Sequence, residues 1–307
     1  MKSQKLKGNL ILLLVSFIWG TSFIAQSKGV EDISPFAFTG IRSVLGGMVL
    51  LPVIAILHFY NKKQGIASGK KKNLLIGGIV CGVLLCLAST LQTAGMIYTS
   101  PGKSGFITAL YMVIIPIIGL FTNKKPAPII WLSVVIATVG LYLMCIDSTL
   151  TIHKGDVLTL ICAFLFSGHI LAVDYFSPRV DGVKLACLQF FVCGIINIIC
   201  MFIFEQPKLE PILGCRASIG YSGIMSCGVA YTLQIIGQKY TDPASASILM
   251  SLESVFATLA TVVLVACGWQ LTGGALSARE IMGCVLMFAA IILVQLPELR
   301  RGASVSV

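Results

Sequence analysis

The chain predicts an all-α integral membrane protein of ten transmembrane helices, arranged as two inverted five-helix repeats. Three observations predict it. The first is composition: only 11% of the 307 residues are charged and 57% are apolar, with a mean hydropathy of +0.95. A soluble globular chain carries about 25% charged residues, so this one could not cover itself with polar surface. The longest polar stretch, residues 61–73, is only linker-sized. The second is an internal repeat. Leu91-Gln92-x-x-Gly95-x-x-Tyr98-Thr99-x-Pro101 recurs as Leu233-Gln234-x-x-Gly237-x-x-Tyr240-Thr241-x-Pro243, at a constant offset of 142. Upstream, Lys7-Gly8 leading to Phe17 and Trp19 matches Lys154-Gly155 leading to Phe164 and Phe166, offset 147. The third is parity: with five spans per half, the second half enters from the opposite side of the membrane.

A helix needs about 20 apolar residues to cross the hydrocarbon core. Breakers and charges delimit the first five spans at 9–26, 36–59, 74–98, 103–122 and 128–146. Lys7 and Lys28 bracket the first, Pro35 precedes the second, and the lysines at 70–72 precede the third. Pro101 opens the fourth and Pro128 the fifth. The second five lie at 156–176, 183–204, 214–239, 244–267 and 280–296, with Lys154, Asp181, Lys208, Pro243 and Arg279 ahead of them. The halves are residues 1–147 and 148–307. The first span, behind Lys2, Lys5 and Lys7, has the look of a secretory signal. Its counterpart at 156–176 is internal and no small-x-small cleavage site follows, so it is expected to stay in the protein.

Fifteen of the 22 Lys and Arg fall on one side of these spans and six on the other, with Arg42 inside the second span. The positive-inside bias then puts both termini in the cytoplasm. Glu31, Asp32, Asp147, Asp156, Glu205, Glu210 and Glu280 fall on the outer side. The net charge of +10 is spread over short loops, as contacts with anionic membrane lipids are, which argues against a nucleic-acid partner.

No enzyme signature survives inspection. Gly102-Lys103-Ser104 mimics the end of a phosphate-binding loop, but Ile97 stands where its first glycine belongs. There is no G-x-S-x-G or H-E-x-x-H, and His58 and His153 lie at membrane edges. The eleven cysteines are scattered, among them Cys81, Cys86, Cys162, Cys193, Cys200 and Cys227, with no C-x-x-C pair. They read as small packed apolar residues. Neither a metal nor a cofactor is expected.

What remains is polar and aromatic chemistry at mid-membrane depth, where an ionisable group is costly and by default functional. Glu253 is the clearest, and its mate at the 142 offset is Tyr111. Helical spacing sets Ser104, Thr108, Tyr111 and Ile115 on one face, and Ala246, Met250, Glu253 and Ala257 on the matching face. Two readings stay open for Glu253: a proton-coupling carboxyl, or a protonated group making one interhelical hydrogen bond. Ser89, Gln92, Met96 and Thr99 share a face, as do Cys227, Tyr231, Gln234 and Gln238, and Trp19, Ser22, Phe23 and Gln26. His169 is the mid-membrane histidine. Trp19, Ser22, Gln92, Tyr111, His169, Tyr231 and Gln234 are the candidate substrate contacts, a lining suited to an amphipathic organic solute. Asp174 and Arg42 read as interfacial, Arg42 snorkelling to the outer end of its span. Gly46-Gly47 and Gly78-x-x-x-Gly82 read as close-packing sites.

Trp19-Gly20-x-x-Phe23 and Phe38-x-x-x-Arg42 resemble the EamA-type members of the drug/metabolite transporter superfamily. So do Ser100-Pro101, Pro116-x-x-Gly119-Leu120, Gly140-Leu141-Tyr142-Leu143, Asp181 with Leu188-Gln189, and Leu252-Glu253-Ser254-Val255-Phe256-Ala257. The resemblance covers nearly the whole chain. It implies a ten-helix inverted-repeat transporter, often an exporter of amino acids, metabolites or drugs. Members often carry Gly-Glu after the ninth span, where this chain has Gly268-Trp269-Gln270, leaving Glu253 as its mid-membrane acid.

The expected activity is secondary transport of small organic solutes by alternating access, with the site between the repeats. An uncoupled facilitator is the variant without a proton role. The rivals are a multispan enzyme acting on lipid and a non-transporting partner subunit.

Overall fold

The computed structural model describes residues 2–63, 71–98, 101–121, 126–145, 153–268 and 277–303. Among these, every regular element is a helix. Lys70, Thr99, Ser100, Asp147, Trp269 and Gln270 lie outside the described residues.

Helix α1 (Lys2–Asp32) runs a turn or more beyond its apolar section at both ends, because no breaker intervenes before Pro35. Helices α2 (Pro35–Lys63) and α3 (Lys71–Gly95) follow. The fourth predicted span is two helices, α4 (Pro101–Ala109) and α5 (Tyr111–Leu120), and the fifth is α6 (Pro128–Cys145). Helix α7 (Lys154–Phe176) opens on a capping box between His153 and Asp156. Asp181 caps α8 (Gly182–Phe204), its carboxylate accepting from the amides of Val183 and Lys184 at 3.0 Å each. Such side-chain acceptors satisfy the orphan donors of a helix start.

Short α9 (Leu209–Gly214) leads to α10 (Arg216–Tyr221), a π-helical segment (Ser222–Tyr231) and α11 (Thr232–Gln238), in one rod. The ninth predicted span is again broken, into α12 (Pro243–Met250), capped by Asp242, and α13 (Glu253–Ala266). The last helix is α14 (Ala278–Ala303). Among the described residues, seven rods are long and apolar enough to cross a membrane, and two shorter apolar ones cover Ser104–Leu120 and Pro128–Leu143. Large apolar side chains turn outward along them, Ile56 at 69% and Phe202 at 69% exposure among them. In water such a surface would aggregate; against lipid it is the solvated face.

The two joints are alike. Leu110 has φ −59°, ψ −12° and Leu252 φ −60°, ψ −11°. At each, the amide bonds three residues back rather than four, Leu110 N–H to the Ile107 carbonyl at 3.2 Å and Leu252 N–H to that of Leu249 at 3.4 Å. Mid-helix 3₁₀ turns of this kind mark hinges or strain. The residues after them, Tyr111 and Glu253, are 142 apart, the offset of the repeat.

Glycines set the helix contacts. A methyl group on Gly82 would lie 2.6 Å from Val192 Cβ, and one on Gly78 would collide with Leu188, so α3 and α8 meet through the predicted small-residue stripe. On Gly95 it would lie 3.0 Å from the Gly155 carbonyl, and on Gly237, 3.2 Å from that of Gly8. The two contacts correspond under the repeat offsets: α3 meets α7 as α11 meets α1. Two large apolar clusters result, one centred on α5, α6, α12 and α14, the other on α3, α7 and α8. Trp19 and Phe166 pack against both, and the cavity lies at their meeting.

Candidate functional site: a cavity between the two halves

The cavity holds about 480 Å³ of free space, counting its open mouth. Each wall follows from helical spacing. Helix α1 contributes Trp19, Phe23 and Gln26, and α7 contributes Phe166 and Ile170, one turn apart. Gln92 comes from α3, Thr108 and Tyr111 from either side of the first joint, and Glu253 from just past the second. Each half of the sequence thus supplies part of the wall.

The π-helical segment changes the register of the last wall. A π-helix bonds five residues apart rather than four, so Ser226 and Tyr231 share the cavity face, with Gln234 following. Cys227, which α-helical spacing grouped with Tyr231 and Gln234, instead packs on α2, where a methyl group on Gly46 would lie 2.5 Å from its Cβ.

Glu253 is 5% exposed and Tyr111 3%. The Tyr111 hydroxyl donates to Glu253 Oε1 at 3.2 Å, so the repeat-related pair meets directly. Gln92 Nε2 donates to Thr108 Oγ1 at 3.2 Å. The indole of Trp19 leans on the Tyr231 ring, centroids 4.7 Å apart. Several lining polar atoms have no protein hydrogen-bond partner: Trp19 Nε1 and Arg42 Nε as donors, Gln26 Oε1 and Gln234 Oε1 as acceptors. Buried polar groups are nearly always paired, so a cluster of donors and acceptors around one space describes a surface made for a polar occupant.

Trp19, Gln92, Tyr111, Tyr231, Gln234 and Glu253, six of the eight sequence candidates, line this space. Two do not. His169, three residues after Phe166 and one before Ile170, lies at the edge of the cavity-facing stripe of α7, about 60° from the one and 100° from the other. It is fully buried, with Nε2 3.1 Å from Gln189 Oε1 of α8 and its ring edge-on to Tyr231 at 6.0 Å. Ser22 shares the face of Trp19 and Gln26, three residues after the one and four before the other, yet it is fully buried and does not line the cavity.

Arg42 corrects the sequence reading most. Expected to snorkel outward, it is 5% exposed and lines the cavity. It sits seven residues into α2, about 10 Å deep at 1.5 Å per residue. The stripe of α2 that carries it continues through Gly46, which packs on the π-helical segment, so the side chain is directed inward. Its guanidinium lies over the Phe38 ring at 5.3 Å. The motif Phe38-x-x-x-Arg42 held the signal; hydropathy alone could not tell an inward arginine from an interfacial one.

Comparisons with known proteins agree with this architecture. The EamA-like transporter family matches the chain twice, over residues 6–146 and 153–296. An uncharacterized transporter of Archaeoglobus fulgidus is 29% identical over 294 residues, 95% of this chain and 87% of that one. The uncharacterized transporter YoaV of Bacillus subtilis is 21% identical over 288 residues, covering 92% of this chain and 94% of its own. A protein of known crystal structure superposes with a TM-score of 0.74 at 18% identity, covering 95% of this chain and 98% of the other; at that identity the likeness concerns the fold. With both halves matched, the chain belongs to the EamA-like transporter family and is a multi-pass membrane transporter.

Proposed function

We propose that the protein is a ten-span secondary transporter that exports small amphipathic organic solutes across the cytoplasmic membrane by alternating access. The observation that carries this reading is the cavity lined from both halves, with unpartnered donors and acceptors beside aromatic rings. Trp19, Gln92, Tyr111, Tyr231 and Gln234 bind the solute, and Glu253 exchanges a proton with water entering the cavity. The halves, 1–147 and 148–307, are inverted repeats with both termini in the cytoplasm. The matched glycine contacts and the paired joints at Leu110 and Leu252 support the inversion, since a pseudo-twofold axis requires such pairs. Alternating access then has its moving parts in the two hinges, each next to a cavity residue. Export is the direction the family resemblance implies.

Two experiments test this. Reporter fusions in the 61–73 loop should read cytoplasmic and those at 147–154 external; a cytoplasmic reading at 147–154 contradicts both the span count and the inversion. Purified protein in liposomes, screened against a metabolite panel, should give solute flux without chemical turnover. Turnover without flux would make it an enzyme acting at the membrane, and neither would make it a partner subunit.

A further inference from the structure

We propose that the cavity selects organic monoanions, a carboxylate seated on Arg42 with an apolar body against the rings of Trp19, Phe23, Phe166 and Tyr231. This rests on the transporter reading and names the class of solute. The argument begins with the charges in the wall, Arg42 and Glu253. Glu253 already has a partner, the hydroxyl of Tyr111 at 3.2 Å. Arg42 has none: among the described residues no carboxylate lies within ion-pair distance of it, its Nε is unbonded, and its guanidinium lies over the Phe38 face. The groups in electrostatic range from the neighbouring elements are Cys193 of α8, and Cys227 and Tyr231 of the π-helical segment.

A buried charge is retained at high cost unless paired. A guanidinium is a planar fork that matches a carboxylate with two parallel hydrogen bonds, so the wall supplies half of an ion pair and the solute the other half. A second negative charge on the solute would face the Glu253 carboxyl across the same space, which restricts the class to monoanions. A cation would meet Arg42 with like charge in the same space. Four rings and Ile170 leave the rest of the space to an apolar body.

The test uses three ligands of one shape, 3-phenylpropanoate, 3-phenylpropanamide and 3-phenylpropylammonium, titrated calorimetrically into the full-length protein in nanodiscs. The carboxylate should bind about tenfold or more tightly than the amide, since hydrogen bonds to charged groups exceed neutral ones by that order. Arg42→Gln should bind carboxylate and amide alike. Arg42→Lys keeps the charge without the fork and should retain a reduced preference, which guards against a folding defect in the Gln variant. An amide or ammonium that binds the native protein as tightly as the carboxylate overturns the proposal. So does an Arg42→Gln protein that keeps the anion preference, or failure of all three ligands to bind. The transport reading is judged separately, by flux over a panel in which anions are one class.

Discussion

Glu253→Gln is expected to abolish the coupling of solute movement to a proton gradient while leaving the protein folded and able to bind solute. The carboxyl lies inside the cavity wall, with Tyr111 donating to it at 3.2 Å. The other titratable or charged groups that face it are Arg42 and Tyr231 across the cavity and Cys162 of α7 in electrostatic range. None of them is a second carboxyl, so the proton role rests on Glu253. Gln has nearly the same shape and keeps an amide oxygen to accept from Tyr111. If the side chain were only an interhelical bond, worth about 0.6 kcal/mol in membranes, the substitution would be nearly silent. If it carries a proton, Gln removes the exchange. An imposed difference of about one pH unit, worth about 1.4 kcal/mol per proton, should drive about tenfold solute accumulation in wild-type liposomes and none in the variant. Wild-type accumulation with an unchanged pH profile would remove the proton from the mechanism and leave an uncoupled facilitator.

Gly20→Val should be the most destabilising of the simple packing changes. Gly20 seats α1 on α13 directly behind Glu253. A methyl group there would lie 2.6 Å from the Glu253 carbonyl oxygen, 2.6 Å from Phe256 Cβ and 2.8 Å from the Ala257 amide nitrogen. Two of those atoms are backbone and cannot turn aside, so the helices must separate. Overpacking costs about 1–3 kcal/mol, and the branched side chain puts Val at the upper end. Gly220 is the control, since a methyl group there meets nothing within 4 Å. Thermal unfolding in detergent, followed by size exclusion, should show Gly20→Val about 5 °C or more below wild type and Gly220→Ala unchanged. Equal stability of all three would mean that α1 and α13 do not pack as described.

The positions of the apolar rods were legible because hydropathy and charge mark them directly, and so were the faces that α-helical spacing controls. Ser104, Thr108, Tyr111 and Ile115 are all buried along one stripe, as are Ala246, Met250 and Glu253. The repeat offset led from Glu253 to Tyr111, and the two meet. The rest was hidden for physical reasons. The joints at Leu110 and Leu252 carry no proline or glycine next to them, so no breaker announced them. The π-helical segment moved the wall from Cys227 to Ser226, because spacing arguments assume four residues per bond. His169 and Ser22 each follow a lining residue by three, Phe166 and Trp19, so helical spacing set them on the lining faces, and only the packing shows that both are buried beside the cavity. Arg42 required knowing what α2 packs against.

If the cavity between the halves faces the two sides of the membrane in turn, a cysteine at Gln234 will be reached by water from each side. Gln234 lines the cavity, and its side-chain oxygen has no protein partner. With the eleven native cysteines replaced in a background that retains transport, Gln234→Cys would be reconstituted in oriented liposomes. It would then be treated with a membrane-impermeant thiol reagent from one side or the other. Alternating access predicts labelling from each side, slowed in both cases by transported solute. Labelling from one side alone, or from neither, would contradict it.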